Sequence, residues 1–426
     1  MKKFTLIMAA IAFSYGIAFS QGCLPEGITF YNQEQINNFQ INYPNCTEIE
    51  GSVTIIGDDL INLHGLSVLT SIGGDFDFSC FSGTLSNLTG LDSLTSIGGD
   101  FQFVSANITL TNLTGLNALT SIGGDFDFNC SNIPITNLEG LNALTTIGAE
   151  FHLGGSCITS LTGLNSLTSI GGDITLLHQY SLSNFTGLEA LTSVGGSINI
   201  WGSNLVDLTG LSSLTSLGGL DLGGNIFLTS LSGLETLSSI GGSITILSCD
   251  LLNSLLAIEN ITSIGGRLTL DGNNGLTSLA GLDNIDPSTI DSLYIINNDH
   301  LTTCEVKSIC DYLSTPNGTV VIHDNAPGCN SKQEVEQACE AVSTKEVILN
   351  DKFIIYPNPA TNKISILSKG ETHIIGVTIY NTVGQLVLKL KPLTNEIDVS
   401  SFNTGLCFVE IVTHDTKIRK KLMINK

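Results

Sequence analysis

Basic side chains are the scarcest feature of this 426-residue sequence, with 16 Lys and Arg against 39 Asp and Glu. The shortage is uneven. From Gln21 to Lys345 four basic residues face 32 acidic ones, whereas from Glu346 onward ten face seven. With no basic patch to neutralise phosphates, the first part excludes nucleic acid and anionic membrane as partners. Long apolar runs are also missing. No stretch after the first twenty residues approaches the roughly 18 apolar residues of a membrane span, so no transmembrane segment is expected. Catalytic signatures are absent too: there is no G-x-S-x-G, no H-E-x-x-H and no P-loop. His64, His152, His178 and His300 are scattered without a nucleophile at matching spacing. Charged residues make up only 13% of the chain and mean hydropathy is +0.29, which excludes a disordered protein.

What is present begins with an export signal. Lys2 and Lys3 precede the apolar run "FTLIMAAIAF", and "AFS" before Gln21 has the small residues of a cleavage site, so residues 1–20 read as a signal peptide. Cys23 raises a lipoprotein alternative, but Ser20 and Gln21 are the wrong residues for a lipobox. In an exported chain, eleven cysteines point to disulfides rather than to metal or redox work. Cys23 and Cys46 bracket the mature N-terminus, and Cys304, Cys310, Cys329 and Cys339 a later segment; spacing does not decide their pairing. Cys80, Cys130, Cys157 and Cys249 lie within repeats, and Cys407 stands alone as a buried thiol or a reactive one.

The repeats dominate the middle of the chain. "SIGG" or a near variant recurs at Ile72, Ile97, Ile122, Ile147, Ile170, Val194, Leu217, Ile240 and Ile264, every 23 to 25 residues. "IEG" at Ile49 and "SLYII" from Ser292 are degenerate copies. Each unit reads L-x-G-L-x-x-L-T-S-I-G-G-x-Φ-x-Φ, where Φ is apolar, followed by a variable polar stretch. In Φ-x-Φ, apolar Phe126 and Phe128 alternate with Asp125 and Asp127, the period of a half-buried strand. A single unit cannot hide its apolar residues; units stacked about 4.8 Å apart share one core. The glycine pair marks the turn between strands, where a residue free of a Cβ is wanted. After Leu217 the apolar pair falls one residue early, at Leu220 and Leu222, which predicts a bulge or kink. "NQEQINNFQINYP" can supply an amphipathic helix as N-terminal cap, and "EVKSICDYL" and "SKQEVEQAC" two more after the last strand.

The leucine spacing followed by Φ-x-Φ resembles leucine-rich repeats. "NCTEIEGSVTI" followed by repeated "LTSIGG-x-Φ-x-Φ" resembles the receptor L domain more closely, which implies a right-handed parallel β-solenoid. From about Glu346 the period stops. "YPNP" (Tyr356, Pro357, Asn358, Pro359), "VTIYNTVGQLV" and the strands up to Ile424 read as a small antiparallel β-sandwich. These motifs resemble the C-terminal sorting domain of the type IX secretion system of Bacteroidetes. That resemblance implies recognition of the tail by the secretion machinery, then surface anchoring or release. The expected organisation is therefore all-β dominated with small helical caps: 1–20 signal peptide, 21–48 N-terminal cap, 49–300 repeat solenoid, 301–345 disulfide-rich C-terminal cap, and 346–426 sorting domain.

Two candidate sites follow. Asp75, Asp77, Asp100, Asp125, Asp127, Glu150 and Asp173 should align on the outer face, where repulsion between neighbours could be relieved by calcium or a basic partner. Solvated edge charge that discourages sheet-to-sheet aggregation is the favoured reading of that row, and no cofactor is required. Tyr180 and Trp201 form a possible ligand rim for sugar. The expected function is binding or adhesion to an unknown protein or glycan without catalysis. The alternatives are a polysaccharide-active β-helix enzyme, argued against by the lack of basic groups beyond Arg267, and a purely structural surface component.

Overall fold

The computed structural model describes residues 22–341, 353–368, 373–381, 385–391, 396–413 and 417–426. The expected signal peptide lies outside the described residues, as does the junction at 342–352. The chain divides into two units, Met1–Val335 and Glu336–Lys426.

In the first unit each repeat lays down two strands. The "SI" dipeptide forms a short one, such as Ser96–Ile97 or Ser121–Ile122, and Φ-x-Φ opens a longer one, such as Phe101–Ala106 or Phe126–Ser131. Like strands pair in parallel from coil to coil. The long strands build one 13-stranded sheet running from Ile28–Phe30 to Val320–His323. The short strands build an eight-stranded sheet that ends at Ser193–Val194 and a three-stranded one that restarts at Ser216–Leu217. This is a parallel β-solenoid. Inside it Phe101, Phe126 and Phe151 lie in register and stack with centroids 5.2 Å apart. Leu113, Leu116, Leu119 and Ile122 are buried beside them.

The repeat's small residues are explained by contacts between coils. The threonine of "LTS" donates its hydroxyl to the threonine carbonyl one coil back, from Thr95 to Thr70 and from Thr120 to Thr95, at 2.9 and 3.0 Å. The glycine pair does not serve the turn by unusual backbone angles. Positive φ belongs instead to the glycine of "GL", for example Gly115 at φ 116°. The first glycine of the pair is required by close approach: a Cβ on Gly123 would fall 2.2 Å from the Gly98 carbonyl oxygen. The second is required by a side chain, since a Cβ on Gly99 would fall 2.0 Å from Asp75 Oδ1.

The early apolar pair at Leu220 and Leu222 produces no bulge in the long sheet, where Ile198 pairs with Leu220 and Ile200 with Leu222 in unbroken register. The missing residue is absorbed at the corner. There the glycine N–H ladder skips: Gly195 donates to Ile170, but Gly218 donates to Gly196 rather than to Val194. The short sheet is severed at that coil.

The caps contain the expected helices, and strands run into them as well. The N-terminal segment forms two short helices, Gln33–Asn37 and Phe39–Asn42, divided at Asn38, and buries Ile36 and Phe39. Strands Gly22–Cys23 and Ile28–Phe30 already belong to the two sheets, so pairing starts within 21–48. At the other end the helix Lys307–Ser314 stands in for a leucine arc and is followed by a further strand, Val320–His323, paired with Ser292–Ile296. Residues 332–341 are helical. Disulfides join Cys23 to Cys46, Cys304 to Cys329, and Cys130 to Cys157; Cys310 and Cys339 are also disulfide-bonded. The bond between Cys130 and Cys157 was not legible, although its separation of 27 residues is close to one repeat. Cys80, Cys249 and Cys407 are free and buried.

The second unit holds two antiparallel sheets, of three and four strands. One core draws on both, with Phe353, Ile364 and Ile397 from the first and Ile379, Val409 and Ile411 from the second.

The break makes neighbouring glycines unequal. A Cβ on Gly265 would meet the Gly241 carbonyl oxygen at 2.0 Å, whereas one on Gly241 finds nothing nearer than 3.7 Å. Gly265→Ala should therefore destabilise by about 2 kcal/mol or more through overpacking. Gly241→Ala should be neutral or gain up to about 1 kcal/mol from the stiffer unfolded chain. Urea unfolding of the two variants checks this, and equal losses would contradict the close-approach account.

Candidate functional site

The seven acidic candidates do not form one row. Asp75, Asp100, Asp125, Glu150 and Asp173 occupy the corner position that opens each long strand. Most of them have a structural task there. Asp75 Oδ1 accepts the backbone N–H of Asp100 at 2.9 Å, Asp100 that of Asp125 at 2.8 Å, and Asp125 that of Glu150 at 2.8 Å. Asp173 accepts from Ser197 at 2.7 Å. Where the repeat has serine the hydroxyl does the same, as Ser243 Oγ does for Arg267 N at 3.0 Å. These four carboxylates thus bond to the next coil. Asp77 and Asp127 lie in a second row, separated from each other by Gln102 in the register Asp77, Gln102, Asp127, His152. Asp77 accepts from Ser79 Oγ at 2.6 Å. Among the described residues no cluster of three or more His, Cys, Asp or Glu could hold a metal ion, so the calcium reading lacks a ligand set.

The register does unite two groups that looked unrelated in sequence. His152 Nδ1 lies 3.1 Å from Asp127 Oδ1, both half-buried. The bond to Asp127 raises the imidazole pKa, burial lowers it by less, and the charges of Asp127 and Glu150 add to the rise. Among the described residues no hydroxyl or thiol is bonded to the other ring nitrogen, so the pair orients the imidazole and favours its protonated form without activating a nucleophile.

Trp201 and Tyr180 are both exposed, and the N–H of His178, on the coil of Tyr180, bonds to the Trp201 carbonyl. Trp201 ends the strand Ser197–Trp201, in register with Leu177 before it and Gly223 after it. Tyr180 lies beyond the sheet edge, its ring 6.1 Å from that of His178. Trp201's companion is Asp221, in the neighbouring row. Burial raises the pKa of that carboxyl and a hydrogen bond from the Trp201 side chain opposes the rise. Asp221 was missed in the sequence because its repeat is the one that breaks step. Arg267, read as isolated, stacks over the Tyr294 ring at 4.8 Å.

In the second unit Tyr356, Pro357, Asn358 and Pro359 are all exposed. Asn358 stitches this turn to the last strand, donating Nδ2 to the Lys421 carbonyl and accepting from the Met423 N–H, both at 2.8 Å. Cys407 faces the core, where burial raises its pKa. Residues 354–425 match the secretion system C-terminal sorting domain. The sorting domain marks the chain for export by the type IX route, to the cell surface or beyond it. No curated protein matches the chain. Among the described residues no helix is long and apolar enough to cross a membrane.

If the corner acids serve the backbone, Asp125→Ala should cost about 1 kcal/mol while Asp125→Asn, which keeps Oδ1, costs much less. Millimolar calcium should leave both melting curves unmoved; stabilisation by calcium in the parent alone would restore the cation reading. For His152, the bond to Asp127 favours the protonated form. Its stabilising contribution is complete below the unfolded imidazole pKa of about 6.5 and is lost as pH rises through the higher folded value. An NMR titration should place His152 above 6.5, and Asp127→Asn should bring it down; a value unmoved by that substitution would exclude the pairing.

Proposed function

We propose that the solenoid is a non-catalytic binding module, carried to the cell surface or the medium by its sorting domain, with its ligand on the outer face of the 13-stranded sheet. The observation that carries this reading is Trp201, a large aromatic left 38% exposed on a regular strand of that face. Leu177, on the preceding strand in register, is 40% exposed. Apolar side chains set in line on an otherwise polar sheet mark an interaction surface.

The likeness to receptor L domains and leucine-rich repeats belongs to the same reading. It is supported by the spacing Leu268, Leu270, Asn273, Leu276, which follows the leucine-rich pattern of L-x-L-x-x-N. The buried Asn273 accepts the N–H of Cys249 and donates to the Ile246 carbonyl, so this residue too ties one coil to another. Absence of catalysis is supported by the chemistry of the face. Among the described residues His152 has no nucleophile bonded to it, and the corner aspartates are bonded to backbone rather than paired as acid and base.

Glycan and protein arrays probed with the full mature chain test the proposal. Saturable retention is expected, weakened by Trp201→Ala and unaccompanied by new reducing ends or peptide fragments. Turnover of a retained ligand would make the protein an enzyme. Retention on no ligand of either kind would leave it a structural surface component.

A further inference from the structure

Trp201 is the one tryptophan in the sequence. Its six-membered ring lies against the bare Cα of Gly223: a Cβ there would sit 2.3 Å from Cε3 and 2.4 Å from Cζ3. Glycine at 223 therefore forms the bed on which the ring rests, while the exposed part of the ring meets solvent. The adjoining row runs Thr175, Asn199, Asp221, Thr245 in register. Asp221 lies beside the indole and accepts a hydrogen bond from its side chain, while its Oδ1 is buried. Asn199 gives Nδ2 to Asp173 Oδ2 at 3.0 Å, and among the described residues nothing is bonded to its Oδ1. The platform thus combines a flat apolar ring with an oxygen acceptor along one side. A ligand that fits it needs an apolar face and hydroxyl donors at its rim, which is the chemistry of a sugar ring. Charge narrows the class. Every charged residue named here is acidic, and Arg267 is engaged two strands beyond Asp221 on Tyr294. An anionic sugar would be repelled.

We infer that Trp201 and Asn199 form a subsite for a neutral sugar unit of a polysaccharide, stacked on the indole and donating a hydroxyl to the amide oxygen, with Asp221 holding the ring in place. This rests on the binding reading above and names its ligand class. Gly223 acts through the ring it supports.

Because the chain holds a single tryptophan, its emission reports on this site alone. The full mature chain is titrated with cellohexaose, laminarihexaose, mannohexaose and xylohexaose, and with hexagalacturonate as the anionic comparison. At least one neutral hexasaccharide should change the emission saturably while hexagalacturonate does not. By calorimetry Trp201→Ala should remove that binding. Gly223→Ala, which keeps the indole but fills its bed, and Asp221→Asn should each weaken it about tenfold. Melting curves identify any variant that has not folded, and the parent's emission titration stands without variants. Emission unchanged by every neutral hexasaccharide, a stronger response to hexagalacturonate, or undiminished affinity in folded Gly223→Ala would each overturn the subsite. If the chain is then still retained on the arrays, the binding module stands without this site; if it is retained on none, both readings fall.

Discussion

At most corners the first glycine of the repeated pair donates its N–H to the carbonyl of the apolar residue one coil back, as Gly98 does to Ile72 at 2.8 Å, and a Cβ on Gly98 would fall 2.3 Å from the Gly73 carbonyl oxygen. That close approach sets the rest of the solenoid. It holds successive short strands at hydrogen-bonding distance and so fixes the register in which Phe101, Phe126 and Phe151 stack. It also places the next residue of each coil beneath the backbone of the following one. An acceptor is favoured there, which explains why aspartate or serine recurs at that corner, although Gly219 and Arg267 also occupy it. The strong negative charge of the first part thus has a local cause in part: some of its carboxylates are backbone acceptors.

The one coil that breaks this constraint is adjacent to the one feature of the sheet face that resembles a binding site. Losing a residue after Leu217 severs the short sheet while the long sheet continues, because the long strands bury two apolar side chains per coil and the short strands only one. At that coil the corner residue is Gly219, with no side chain to offer. Asp221 and Gly223, two and four residues on, instead receive the indole of Trp201. Natural folds tend to relax their own rules where they act, and local inconsistency is a sign of function.

The disulfides are consistent with export. Below the first repeat Cys23 and Cys46 tie the two ends of the opening coil, and beyond the last full repeat Cys304 and Cys329 tie the closing one. A solenoid frays from its ends, where each coil has one neighbour instead of two, so covalent ties there oppose the weakest openings. The sorting domain needs no such ties, since two sheets enclose a core of its own.

The sequence by itself determined the coil: the 23-to-25-residue period, alternation in Φ-x-Φ and the leucine ladder specify two strands and an apolar arc, because burial of those residues has one periodic solution. It also made the sorting domain legible, since "YPNP" and the closing strands are local signals. The tertiary structure alone decided what depends on neighbours about 25 positions away. It showed that the glycine pair answers a clash between coils, that Asp127 meets His152, and that Cys130 meets Cys157. It also showed that Trp201 rests on Gly223 beside Asp221. A stacked coil brings together residues whose separation varies by one or two from repeat to repeat. That slippage decides whether two side chains meet on one face, and only the register, set by packing of the core, resolves it.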